Sequence, residues 1–448
     1  MAAVVLSDLA KATRRVIEIF AVKGPKAFTA LRAYWQPEYE GRRLNRQLEH
    51  LRSQSAQPEA AIARHLIQRF GHNRAQNPGL SADYLQLLSE QIIKIHQGVL
   101  TPEALDHLIQ ATGQLKAEQL DDASWRSLQF IATANGLFLP GFLFRNRTIE
   151  RILQVPVHQL TTIQHIQRYF TAAMDANRFD LAADALAACR QRSSPDTSSL
   201  EQMQLHYHLM QGQRAETLAL ASRTYSAMDR EFADFVRGKR VAIVGPAPGD
   251  ESAAAEIDSF DIVIRTNYRG RDTMPPADEF GRKIDVSYYN YTYTKQVLGT
   301  SVNAYLDDLS FAVFKNETDI RRYQGRPTTA TFRTMRQINA QILNGKSQMV
   351  QNIIYDLLHF EPAEIKIFHS NFFMSEKRYY STYASPTNQT LKASSYWINF
   401  ATHDLVTQLN FSRTLLKAQQ ISGDRQASDV MQLDSDKYIK KISQIYSI

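Results

Sequence analysis

The chain has 448 residues, 44% of them hydrophobic and 22% charged, which excludes a mostly disordered chain or a fibre and predicts two or three domains at roughly 150 residues each. Its one cysteine, Cys189, excludes an internal disulfide and a cysteine-rich zinc site. The net charge of +7 suits an anionic small substrate or an anionic membrane face, and no compact basic stripe with interleaved aromatics argues for nucleic acid.

The first segment carries Val4, Val5, Leu9, Val16, Ile17, Ile19 and Phe20 beside Lys11, Arg14 and Arg15, a basic amphipathic pattern suited to a membrane surface or a protein partner. Asp8 and its basic neighbours interrupt any signal-peptide core. No run of 18 apolar residues appears. The expectation is a soluble, cytoplasmic protein, with peripheral contact at the inner membrane as an option.

From Ser7 to about Asp229 the apolar residues recur at helical spacing, as in Ala82 to Gln97. Leu137 to Phe144 is strongly apolar and reads as core or as a second membrane contact. Met174 to Ala182 and, about 35 residues later, Met210 to Ala215 each place a turn before a helix of small residues. That spacing is the look of tetratricopeptide-like hairpins, expected near residues 165–228. A boundary falls at Arg237-Gly238-Lys239, separating a helical domain (1–235) from an α/β domain (238–448). Beyond it, short β-branched runs at Val241–Val244, Asp261–Ile264, Ile284–Tyr289, Phe311–Phe314, Ile365–Phe368 and Val430–Leu433 alternate with helices. Such alternation predicts a parallel sheet of βαβ units. The fold class expected is therefore α + α/β.

The chemistry concentrates after Lys239. The strand Val241–Val244 leads into Gly245-Pro246-Ala247-Pro248-Gly249 and a helix, the general way α/β proteins bring amides towards a phosphate. Pro246 and Pro248 lack amide hydrogens, so the turn offers few donors. Arg265 and Asn267 then leave the C-terminal end of the next strand, where open α/β sheets bind ligands. The Arg265 guanidinium is expected either to anchor the loop through Asp258 or Asp261 or to meet a phosphate, and Asn267 to contact ligand.

Val244-Gly245 followed by Ile257-Asp258-Ser259-Phe260-Asp261-Ile262-Val263-Ile264-Arg265-Thr266-Asn267 resembles the large sialyl motif of the sialyltransferases grouped as glycosyltransferase family 29. Asn344 to Val350 resembles that family's small motif, with Gly345 and Ser347 as the nearest counterparts of its nucleotide-binding glycine and serine. Ser347 is equally good as a plain helix N-cap. His403 fits the histidine of the very small motif, the family's general base, while Gln408 stands near the place of its glutamate. Histidine suits that task because it accepts a proton near neutrality. Between these motifs Lys377-Arg378-Tyr379-Tyr380 replaces the family's histidine-led aromatic run, and Pro246 replaces the asparagine used against the donor.

The resemblance covers about Lys239 to Gln420. It implies a Rossmann-like glycosyltransferase domain of bacterial type that moves sialic acid or Kdo from a cytidine monophosphate (CMP)-activated donor to a saccharide or glycolipid hydroxyl, in surface polysaccharide or glycolipid synthesis. No cofactor and no metal are implied. His403 is expected as base, Arg378 as the cation facing the departing phosphate, and Gly245, Pro246, Arg265, Asn267, Gly345, Ser347, Tyr379 and Tyr380 around the donor. A retaining Kdo transferase would need a carboxylate nucleophile, with Asp258, Asp261 and Asp285 as candidates. A third reading is a helical-repeat interaction protein whose transferase domain is inactive. Asp434-Ser435-Asp436 spells a metal-binding D-x-D but is better read as a helix cap, and Asp307-Asp308 as a solvated turn.

Overall fold

Helical periodicity in the first half produces eleven helices of two turns or more among the described residues. The computed structural model describes residues 39–71, 77–191, 197–249, 252–291, 293–294, 303–321, 328–376, 379–380 and 394–447. The amphipathic segment 4–20, Lys377 and Arg378 lie outside the described residues. The helices are α1 (39–54), α2 (Pro58–Phe70), α3 (Ala82–Gln97), α4 (Pro102–Gly113), α5 (Asp122–Ala134), α6 (Phe138–Leu153), α7 (Ile163–Asp175), α8 (Phe179–Arg190), α9 (Thr197–Met210), α10 (Arg214–Ser222) and α11 (Ala227–Val236). Local signals set their ends. Ser81 Oγ accepts from the Tyr84 amide at 3.2 Å to open α3, and Gly98 at φ 71° closes it.

The repeated turn forms twice. Between α7 and α8, Asn177 takes φ 55° and the Arg178 amide donates to Ala173 O at 2.8 Å. Between α9 and α10, Gly212 takes φ 70° and the Gln213 amide donates to His208 O at 2.9 Å. Both are left-handed helix stops closed by the same back-bond. The apolar run from Leu137 lies inside α6, with Phe138, Phe142 and Phe144 buried and Phe144 stacked on Trp125 at 5.9 Å. It is core. Among the described residues no helix is long and apolar enough to cross a membrane.

After α11 the chain enters a seven-stranded parallel sheet of order β5-β4-β3-β2-β1-β6-β7. The strands are β1 (Arg240–Val244), β2 (Ile262–Thr266), β3 (Val286–Tyr289), β4 (Phe311–Phe314), β5 (Thr331–Thr334), β6 (Glu364–Phe368) and β7 (Ser422–Gly423). The longer helices of this half are α12 (Met349–Leu357), α13 (Ser394–His403), α14 (Leu405–Lys417), α15 (Arg425–Met431) and α16 (Ser435–Tyr446). One expected strand is corrected. Val430 and Met431 end α15, which Asp424 caps by accepting from the Ala427 amide at 2.8 Å. The D-x-D is a cap as read: Asp434 Oδ1 accepts from the Lys437 amide at 2.7 Å. Asp307-Asp308 is more than a solvated turn, because Asp307 Oδ1 accepts from the Thr329 amide at 3.0 Å and Asp308 accepts from the Tyr268 hydroxyl.

The sheet is apolar on both faces, and alternation assigns each side chain. Val241, Ile243, Ile264, Tyr288, Val313 and Ile367 join one continuous core that includes the N-terminal helices. Ala242, Val244, Val263 and Phe368 pack on the opposite face with Ile257, Phe260 and Phe280. Two buried ion networks cross between elements. Arg333 of β5, 1% exposed, donates to Asp356 of α12 and Asp229 of α11. Arg145 of α6 donates through Nε to both Asp404 oxygens (3.1 and 3.0 Å) and through Nη2 to Thr407 Oγ1 at 3.0 Å and to Asp175. The helical half is thus packed into the α/β half rather than appended to it.

Candidate active site

In a parallel sheet every strand ends at the same edge. The first residues beyond β4, β3, β2, β1 and β6 are Lys315, Asn290, Asn267, Gly245 and His369, and they line that C-terminal edge in this order. The strand order reverses between β1 and β6, the position where open α/β sheets bind ligands.

At the reversal the sheet is tightly sealed. The Gly245 amide donates to Phe368 O at 2.8 Å and the Ala247 amide to His369 O at 3.0 Å. A Cβ on Gly245 would lie 2.4 Å from His369 O, so only glycine fits. The turn after β1 therefore directs these two amides at its neighbour, not at a phosphate. Pro246 O accepts from the Tyr380 amide at 3.0 Å, which brings the aromatic run over this turn. Tyr380 meets Phe280 edge-on at 5.2 Å. Burial pushes its phenol up to about 12, against the opposing charges of Arg265 and Arg269. His369 stacks on Phe280 at 3.7 Å in a left-handed backbone (φ 52°). Its ring is buried and neither nitrogen makes a hydrogen bond, although the Glu279 backbone lies close enough to favour the protonated form slightly. Burial dominates and pushes it down to about 4.

The motif around β2 divides between architecture and edge. Arg265 is 5% exposed and donates to three carbonyls, Lys283 O (3.0 Å), Phe280 O (2.7 Å) and Gly281 O (3.2 Å). It anchors a loop, as one reading expected, but through carbonyls rather than through Asp258 or Asp261. Burial pushes its guanidinium down to about 10. Asp258 receives the Arg282 and Lys283 amides of the same loop, Asp261 the Arg240 amide at 2.8 Å. Asp285 sits just before β3, at the N-terminal edge, where Oδ2 accepts from the Val263 amide at 2.7 Å. Asp285, near a strand start as its sequence position suggests, thus lies at the edge opposite Asn267. Asn267, in contrast, lies on the C-terminal edge at φ 54°, its Oδ1 accepting from the Asn290 amide at 2.9 Å. Arg265, Asn267, Arg269, Thr273 and Tyr380 line a small cleft of about 10 Å³.

A second group gathers around the start of α12. Gly345 takes φ 74° and its Cβ position lies 2.5 Å from Thr402 O, while the Lys346 amide donates to the same oxygen at 2.8 Å. His403 Nδ1 lies 2.9 Å from Lys346 O. A carbonyl only accepts, so Nδ1 carries the proton and Nε2 of the neutral ring carries the lone pair. Gln408 ties the two segments further. Its Oε1 accepts from the Gln348 amide at 3.0 Å and its Nε2 donates to His403 O at 2.8 Å and Lys346 O at 3.4 Å. A glutamate, acceptor-only when ionised, could not make the last two bonds.

Ser347 is not the N-cap. Gln348 holds that position, and the Ser347 hydroxyl donates to Asn352 Oδ1 at 2.7 Å. The helical half grips this group from behind: Arg42 donates to Thr402 Oγ1 at 2.7 Å, and Asn344 to Gln129 Oε1 at 3.0 Å. Burial, and after it the charge of Lys346, lowers the pKa of Lys315 on the edge row. Sequence reasoning passed over Lys315 and His369, although each directly follows a correctly placed strand.

The chain matches no family model, no curated protein and no solved structure.

Proposed function

We propose that the chain is an inverting glycosyltransferase that moves an acidic ulosonic sugar, sialic acid-like or Kdo, from its CMP-activated donor to a saccharide or glycolipid hydroxyl. The observation that carries this reading is the Nδ1 contact of His403 to Lys346 O, which leaves Nε2 with the lone pair a general base needs. In the transfer, the acceptor oxygen forms a bond to the anomeric carbon and its proton passes to Nε2. The bond from that carbon to the phosphate oxygen breaks, its electron pair leaving with CMP.

Asn267, Tyr379 and Tyr380 serve the nucleotide, over a floor of Gly245 and Pro246, with Arg265 fixing the loop beneath. Gly345 and Ser347 set the backbone that presents His403. Within this reading the α/β half is Rossmann-like, and the paired turns at Asn177 and Gly212 make the neighbouring hairpins tetratricopeptide-like. The carboxylates that a retaining course would need hold backbone amides instead: Asp261 and Asp285 sit at the opposite edge, and Asp258 caps the loop before β3, which favours inversion. The buried Arg145–Asp404 pair joins the helical half to the residue after His403, so that half is part of the enzyme in this reading. Cytoplasmic location, with peripheral contact at the inner membrane, completes the proposal.

The test is incubation with CMP-activated sialic acid and CMP-activated Kdo and a panel of saccharide acceptors, without added metal. Release of CMP together with a β-to-α or α-to-β inverted product is expected. Retention of configuration, with a sugar adduct on an aspartate, would contradict it.

A further inference from the structure

Arg145 directly follows the apolar run from Leu137, and the transfer as described gives it no task. It is buried in the helical half and reaches into the α/β half beside His403. His403 is the last residue of α13 and Leu405 the first of α14, so Asp404 alone makes the bend between two helices. Asp404 takes φ 39° and ψ 85° there, a left-handed conformation that side chains adopt at a cost and keep where their surroundings hold them. The hold is on its buried carboxylate. Arg145 Nε donates to both oxygens, Gln129 Nε2 donates to Oδ2 at 3.5 Å, and the Thr407 amide donates to Oδ1 at 3.4 Å. Through Nη2 the same guanidinium reaches Thr407 Oγ1 at 3.0 Å, in the first turn of α14, and Asp175 at the end of α7.

The bend sets the geometry of the imidazole. A Cβ on Gly345 would lie 2.5 Å from Thr402 O and 3.2 Å from the Asp404 nitrogen, so the Gly345-Lys346 turn is pressed against the backbone of the bend. Lys346 O is the atom that His403 Nδ1 faces at 2.9 Å. A movement of Asp404 therefore shifts the ring relative to the carbonyl that fixes its tautomer. The helical half repeats the grip on either side. Arg42 donates to Thr402 Oγ1, and Gln129, which holds Asp404, accepts from Asn344 beside the Gly345 turn.

We propose that Arg145 is a positioning residue for His403: it acts through the bend at Asp404, and the helical half thereby sets the orientation and tautomer of an imidazole in the α/β half. The placement of the ring stands on these contacts alone. Its effect on turnover rests on the transferase reading, in which Nε2 must hold its lone pair towards the acceptor hydroxyl.

Asp404→Asn in the full chain tests it. Asparagine tolerates the left-handed backbone and caps a helix, and Arg145 keeps Asp175 as its counter-charge, so the fold is retained. The variant is expected to lower kcat for the CMP-activated sugar by roughly tenfold to a hundredfold, with the donor KM within about threefold of wild type. Nitrogen–proton correlation spectra of the imidazoles, with His403→Gln as the assignment reference, are expected to show one Nδ1-protonated tautomer of His403 in the wild type and a mixture in the variant. Arg145→Lys, which keeps the charge and loses the planar fork, is expected to act in the same direction. Asp229→Asn is the control. It removes a carboxylate from the other buried network between the halves, at Arg333, and is expected to lower the thermal midpoint with kcat unchanged. A wild-type kcat and tautomer in Asp404→Asn, or an equal fall in kcat in Asp229→Asn, overturns the proposal. A tautomer that shifts in Asp404→Asn, in a chain whose wild type turns over no CMP-activated sugar, upholds the positioning and removes the transferase reading.

Discussion

The two edges of the sheet use side chains of the same motif for opposite ends. At the N-terminal edge, carboxylates accept backbone amides: Asp261 takes Arg240 and Asp285 takes Val263. These contacts pin each strand to its neighbour. At the C-terminal edge the residues beyond β4, β3, β2, β1 and β6 are Lys315, Asn290, Asn267, Gly245 and His369, and the carboxylate beyond β7, Asp424, accepts the His369 amide at 2.7 Å. The difference teaches that a motif holding aspartate, arginine and asparagine need not place all three on a ligand. Here Asp258, Asp261 and Arg265 build the frame, and Asn267 lines the cleft at the C-terminal edge.

The largest expected effect falls at the C-terminal edge. His403→Ala is expected to lower turnover by about 10²–10⁴-fold with the thermal midpoint unchanged, read by CMP release and by scanning calorimetry. Turnover within a few fold of wild type would take His403 out of the role of base. Gln408→Glu comes next. It puts an acceptor-only carboxylate against His403 O and Lys346 O in a side chain 2% exposed, with an expected stability loss of about 3 kcal/mol. An unchanged denaturation midpoint would show that the donor end of Gln408 does not matter.

Acid pH probes the same edge through His369. Its folded pKa, pushed down to about 4 by burial, lies below the unfolded value of about 6.5. Between these values the unfolded chain binds the extra proton, so stability rises with pH and is lost as pH falls from about 6.5 through about 4. His369→Phe, which keeps the stack on Phe280, is expected to flatten that part of the profile. An identical slope in the variant would refute the assignment. Asp285→Asn should have the smallest effect, because the amide oxygen still accepts from Val263: about 1 kcal/mol of stability and no change in turnover per folded molecule. A tenfold fall in turnover would bring the carboxylate back as a nucleophile.

Much of this architecture was readable from local patterns. The helix Ala82–Gln97 and the strand Phe311–Phe314 have the expected bounds, since each is framed by clear stop signals and one apolar period. β5 was missed because Thr331-Phe332-Arg333-Thr334 is polar and lies at the sheet edge, where one neighbour suffices. β7 is two residues long and carries no pattern. Val430 suggested a strand only because the Asp424 cap before it was not weighed. Within the candidate site, Asn267 and His403 are proposed from motifs alone, whereas Lys315 becomes a candidate only once strand order puts it on the edge row. The Arg145–Asp404 contact joins residues 259 apart, a separation no local rule spans.

Calorimetric titration of CMP against uridine diphosphate and guanosine diphosphate, without metal, tests the central claim most directly. Selective CMP binding that Asn267→Ala weakens by tenfold or more is the predicted result. Preference for a diphosphate, or CMP binding that ignores Asn267, would contradict it.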